Sequence, residues 1–147
     1  LALLRNNIEL KKENIIVADR EEEYENVTYE FENGKGLAKS FLQLEDRPRA
    51  ILAVNDMTAF GTIQELVSNG VKIPHDVSII GFDNIEVSCM INPPLTTINQ
   101  PAFETGKLAC QLLLENLKTG FENNGYEDVT ITLEPSLVIR KSVTSIY

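Results

Sequence analysis

Several ingredients that chemistry needs are missing from this chain. Histidine occurs once in 147 residues, as His75 in the loop-like Pro74-His75-Asp76, so no nucleophile has a histidine base nearby in sequence to activate it. No GxSxG elbow and no GxGxxG turn is present. Gly34-Lys35-Gly36 lacks the GxxxxGK[ST] spacing of a phosphate loop, and no buried strand leads into it. The two cysteines, Cys89 and Cys110, have neither CxxC nor zinc spacing and read as buried free thiols, in keeping with a reducing cytoplasm. The acidic run Glu21-Glu22-Glu23 reads as a solvated loop. Catalysis, a cofactor and a metal are therefore not expected. No apolar run approaches the ~18 residues of a membrane helix. Basic charge is also short, 13 Lys and Arg against 22 Asp and Glu for a net charge of −9. That field repels phosphate backbones and makes this segment a poor nucleic-acid binder by itself. The start, Leu1-Ala2-Leu3-Leu4-Arg5-Asn6-Asn7, has neither Met nor a basic flank. It reads as a helix cut open and not as a signal peptide, so the chain is expected to be a piece of a longer one.

What is present is a globular pattern. An apolar content of 43% and a charged content of 24% suit one domain with a real core. Asn14-Ile15-Ile16-Val17-Ala18 is β-branched and reads as a strand, and the alternating Val27-Thr28-Tyr29-Glu30-Phe31 as another. Residues 36–44 return to helical spacing with Leu37, Phe41 and Leu44 on one face. Ala50-Ile51-Leu52-Ala53-Val54 and residues 77–82 show no alternation, which predicts central parallel strands covered on both faces. Between them Asn55 or Asp56 caps a helix whose stripe is Phe60, Ile63, Leu66 and Val67, and Gly70 stops it. Residues 93–101 form a stiff extended connector. Pro101 opens a helix with Phe103, Gly106, Cys110, Leu113 or Leu114, and Leu117 on its apolar side, and short strands follow at 129–133 and 137–140. Strand–helix–strand repetition predicts an α/β fold with a parallel layered sheet.

In such sheets ligands sit beyond the carboxyl ends of the strands. Two buried strands end in Asn55-Asp56 and in Phe82-Asp83-Asn84. Carboxylate and amide groups there can grip hydroxyls, and an aromatic such as Phe82 or Phe31 can cover the apolar face of a sugar or base. Each residue also has a plainer use: Asn55 or Asp56 as a helix cap, Asp83 as a turn cap, Phe31 and Phe82 as core.

At these positions the chain resembles the lactose/galactose repressor (LacI/GalR) family. The similarity is carried by residues 50–61, by residues 70–84, by Pro93-Pro94-Leu95-Thr96-Thr97-Ile98-Asn99-Gln100-Pro101 and by Leu137-Val138-Ile139-Arg140-Lys141-Ser142. Residues 1–49 match loosely, through Phe31 and Gly36. The resemblance implies a lobe of a periplasmic-binding-protein-like (type I) fold: residues 1–98 the C-terminal lobe, 99–128 a crossing and a helix that packs on another lobe, 129–147 return strands and tail. It implies a cytoplasmic, homodimeric bacterial transcription regulator with a sugar-like effector between lobes. Operator DNA is met only through a helix-turn-helix head outside this chain. Asn55, Asp83, Phe82 and Phe31 fall at effector-contacting positions, and Phe60, Cys89, Met90 and Ile91 at the dimer face. The helix after Pro101 is then expected to be disordered, swapped or packed on another chain.

Overall fold

Among the described residues four short strands pair in chain order, β1 (Ala50–Leu52), β2 (Ser78–Asp83), β3 (Thr96–Asn99) and β4 (Ser136–Val138). The computed structural model describes residues 5–17, 29–119 and 130–145. β1, β2 and β3 are parallel, with Ala50 opposite Ser78 and Ile80 opposite Thr96; β4 returns antiparallel on β3. Three helices described along their whole length flank the sheet: α1 (Tyr29–Leu42), α2 (Asp56–Ser68) and α3 (Ala102–Thr119). The expected α/β layering around a mostly parallel sheet is what forms.

The core lies between the helices and the sheet. Ala38 and Phe41 of α1 meet Ala59, Phe60, Ile63 and Leu66 of α2, and beneath them are Val77, Ile79 and Leu95. α1 and α2 approach backbone to backbone at two glycines. A Cβ on Gly61 would overlap the carbonyl of Phe31, and one on Gly34 the carbonyl of Thr58. At that crossing the Thr62 hydroxyl faces two acceptors, Thr58 O at 2.8 Å and Gly34 O at 3.1 Å.

Several sequence expectations need correction. Tyr29, Glu30 and Phe31 begin a helix and are not a strand; residues 27 and 28 lie outside the described residues. Phe31, Gly34, Ala38 and Phe41 repeat at three- and four-residue spacing, a longer signal than the brief alternation before it. Residues 15–17 are likewise not a strand. A 3-10 turn, Lys12–Asn14, precedes them and takes the Ile15 amide back to Lys12 O, and Ile15 and Val17 are exposed. Among the described residues β1 is not covered on both faces: there it pairs with β2 alone, and Leu52 and Val54 are 73% and 76% exposed. An unbroken apolar run reports hydrophobicity, not how many neighbours the strand has. β2 shows partial coverage, with Ile79 and Gly81 buried and Ser78, Ile80 and Phe82 half-buried. Residues 130–133 form no strand, and β4 starts at Ser136.

α3 is helical and so not disordered, but its expected apolar side lies open, with Phe103 at 79% and Leu113, Leu114 and Leu117 near half exposure. The face toward the sheet end carries Thr105, Leu108 and Leu112 instead. Cys89 and Cys110 are free, as read, but exposed where burial was expected, the second on this open helix.

The tail is stitched to the sheet by side chains. Ser142 Oγ donates to Ile79 O (2.6 Å) and accepts from Thr96 N (2.8 Å), while Ile79 N donates to Ser142 O. No helix among the described residues is long and apolar enough to cross a membrane.

Candidate functional site

Parallel pairing brings three polar residues to one edge. Ala50 faces Ser78, and the ladder continues past Leu52 through Ala53 N to Ile80 O at 2.9 Å. Beyond that point the chain leaves the sheet, with Asn55 at the N-cap of α2, while on β2 Asp83 faces Asn99 of β3. Asn55, Asp83 and Asn99 thus cross the carboxyl ends of three adjacent strands, where a doubly wound sheet opens to ligands.

Their side chains are committed to different degrees. Asn55 is the N-cap of α2 in extended backbone, and its Oδ1 accepts from Thr58 N at 2.8 Å. Among the described residues no group accepts from its Nδ2. Asp83 Oδ1 accepts from Gln100 Nε2. Asn99 Oδ1 accepts from Asn84 Nδ2 at 2.9 Å. The backbone here is unusual: Asp83 and Asn84 have φ of +116° and +57°, conformations that side-chain-bearing residues adopt at a cost and that concentrate at functional corners.

That corner is held from two sides. From below, Asp56 is fully buried; Oδ1 accepts from Thr97 Oγ1 and Oδ2 from Ile85 N at 3.0 Å. Thr97 Oγ1 in turn accepts from Asn84 N at 3.3 Å. From the tail, the half-buried Arg140 donates to Asn84 Oδ1 (2.7 Å), Leu95 O (2.7 Å) and Ser88 Oγ (2.9 Å). Asn84 is therefore held on both side-chain polar atoms, whereas among the described residues the Nδ2 of Asn55 and the Oδ2 of Asp83 have no partner. Two carboxylates against one engaged guanidinium favour a neutral hydroxyl donor over an anion.

Phe82 points the other way along the strand period, half-buried, and lines a cavity of about 430 Å3 with Gln100, Leu108, Leu112, Ile131 and Leu133. Gln100 joins this cavity to Asp83. Phe31 sits on α1 against the core with Lys35 Nζ 5.9 Å from its ring centre. No described contact brings it to Asp83. Of the residues assigned to a dimer face, Cys89 and Met90 lie exposed on and just after the 3-10 turn Glu86–Cys89. Ile91 beside them is half-buried, and Phe60 is a core residue at 7% exposure. Sequence reading offered Asp56 as a hydroxyl-gripping carboxylate or helix cap, whereas it is buried and bonded to Thr97 and Ile85; it missed Thr97, Gln100 and Arg140 as site-building residues. The one available signal was that Asp56 adjoins Asn55; the others lie tens of residues away. Among the described residues no group of three His, Cys, Asp or Glu could hold a metal.

Residues 5–143 match the periplasmic binding protein-like domain family. The chain is 39% identical over 115 residues to the HTH-type transcriptional repressor PurR of Aliivibrio salmonicida, covering 78% of this chain and 33% of that protein. It is 41% identical over 118 residues to the ribose operon repressor of Haemophilus influenzae, covering 80% and 34%. Among solved structures, a LacI family transcriptional regulator from Enterococcus faecalis with bound ribose superposes with a TM-score of 0.68 at 35% identity, over 80% of this chain and 42% of that one. The chain spans about a third of the length of these curated relatives.

Proposed function

The chain belongs to the periplasmic binding protein-like family, in its LacI/GalR branch of transcriptional regulators, and on that premise we propose that it is the effector-sensing and dimerisation region of a bacterial repressor. A small sugar-like effector binds between lobes, and operator DNA is held by a helix-turn-helix head on the longer protein. Residues 1–98 and the tail 129–147 serve as the C-terminal lobe; residues 99–128 cross toward the other lobe. The protein works in the cytoplasm, without catalysis or cofactor.

One observation supports this reading: Asn55, at the N-cap just past β1, and Asp83, at the end of β2, follow the carboxyl ends of two adjacent parallel strands, one with an amide donor unused among the described residues and the other with a carboxylate acceptor. A pair of ring hydroxyls satisfies that combination. Phe82 is proposed as the apolar wall, and Phe31 as a further ring that reaches the ligand. The dimer face is proposed on Cys89, Met90 and Ile91, with Phe60 beneath it.

Binding controls DNA by shifting populations. An effector that prefers one lobe arrangement biases the spacing of the DNA heads, with a coupling of about 1–3 kcal/mol. The test is a thermal-shift panel of sugars, sugar phosphates and purines on the full-length protein. A neutral sugar is expected to raise Tm, and Asp83→Ala to abolish the rise. An unchanged response in Asp83→Ala removes Asp83 from the site, and a panel that is silent on sugars overturns the ligand class.

A further inference from the structure

We propose that the buried carboxylate of Asp56 is a positioning residue for the effector site, a brace that fixes where Asp83 stands relative to Asn55. The inference deepens the reading above and rests on it. Asp56 follows Asn55 directly in the chain, so its backbone moves with the cap of α2. Its side chain reaches under the neighbouring strand. Oδ2 takes the amide of Ile85, two residues beyond Asp83, and Oδ1 takes the Thr97 hydroxyl. Thr97 Oγ1 then takes the amide of Asn84, the residue next to Asp83. Both amides that follow Asp83 are thereby tied, directly or through one hydroxyl, to the residue that follows Asn55.

Three features make this a socket and not a chance contact. Asp56 has no exposure, so its charge is met entirely by these donors; a buried carboxylate persists only when hydrogen-bonded. Gly81 leaves room for it: a Cβ there would overlap Asp56 Oδ1 and crowd Leu95 Cδ2 at 2.7 Å. The tied amides belong to Asn84, the second residue of the positive-φ pair, and to Ile85, right after it. Such a backbone persists only where its surroundings over-determine it. Released from the brace, Asp83 and Asn84 are expected to relax toward negative φ, turning the Asp83 carboxylate away from where it stands relative to Asn55.

The test separates hydroxyl from shape at Thr97 in the full-length protein. Thr97→Val keeps the shape and removes the donor; Thr97→Ser keeps the donor. Probes are ribose, other sugars, sugar phosphates and purines, with Asp83→Ala as reference. Thr97→Val is expected to weaken binding by about tenfold or more, the effect of losing a bond to a charged group. The conservative Thr97→Ser should retain binding, even though it also loses packing. Asp56→Asn and Gly81→Ala should follow Thr97→Val. Without ligand, the three-bond amide–Hα couplings of Asp83 and Asn84, which report φ, should change in Thr97→Val and not in Thr97→Ser. A Thr97→Val protein that binds as tightly as wild type while Asp83→Ala does not bind overturns the brace and leaves the effector site standing. If no probe binds wild type, or Asp83→Ala changes nothing, the effector reading falls. The couplings then decide the brace alone: unchanged values overturn it.

Discussion

Asn55 is asked to do two things with one amide. Its oxygen caps α2 through Thr58 N, and its nitrogen remains for a ligand. The two roles separate by substitution. Asn55→Ser keeps a good cap and replaces the amide NH2 with a shorter hydroxyl that does not extend beyond the cap, so unfolding free energy should stay within about 0.5 kcal/mol of wild type while the ligand-induced thermal shift disappears. Asn55→Ala should also lose about 1 kcal/mol of stability, read by urea denaturation. A wild-type thermal shift in Asn55→Ser would show that only the cap matters. At this scale the sequence was informative where polar residues end apolar runs, as at Asn55 and Asp83. It named Asp56 but not its burial, because the partner that explains that burial, Thr97, is 41 residues away. It also misled on Cys89 and Cys110, since a preference for burial says nothing about whether a given helix or turn has anything packed over it.

Among elements, the crossing of α1 on α2 makes opposite predictions for three glycines. Gly34 and Gly61 sit where a methyl group would enter a backbone carbonyl of the facing helix. Backbone cannot swing aside like a side-chain tip, so the helices must separate and thin the core around Phe41 and Phe60. Gly34→Ala and Gly61→Ala should each cost about 1–3 kcal/mol or more. Gly36, two residues along the same helix, is exposed with nothing within 4 Å of a would-be Cβ. Gly36→Ala should stabilise by about 0.5–1 kcal/mol, through helix propensity and a less free unfolded chain. Equal effects at all three positions in denaturant titrations would sink this account of the crossing. Element type was legible wherever a period ran long enough, as in α2 and in the extended crossing that becomes β3. It was not legible at 29–31, where three alternating residues were outweighed by a helical repeat continuing to Phe41. Nor was coverage legible at β1, because pairing partners are a property of the sheet and not of the strand.

For the molecule as a whole, the open side of α3 is the conspicuous surface. Phe103, Leu113, Leu114 and Leu117 lie exposed on one helix of a chain carrying nine surplus negative charges. Large apolar patches on folded proteins mark places where something else packs. The 147-residue chain by itself is therefore expected to bind a hydrophobic dye and to sediment as a concentration-dependent assembly. Leu113→Glu with Leu117→Glu should reduce both. A dye-silent monomer at all concentrations would show that α3 is covered within the chain. The α/β class and the carboxyl-end site were readable because strand order and strand ends are written in the sequence. Which side of α3 turns inward was not, since Leu108 and Leu112 differ from Leu113 and Leu117 only in what stands opposite them.

The stitching of Ser142 across Ile79 and Thr96, with Arg140 reaching Asn84 just upstream, makes the segment 140–142 a clasp. A nonsense codon at position 140 would spare the helices and the three parallel strands, yet unfasten β2 from β3 at their shared seam and free the corner that carries Asp83. The shortened protein should be expressed, readily digested by protease, and show no thermal shift with any ligand that shifts the intact protein.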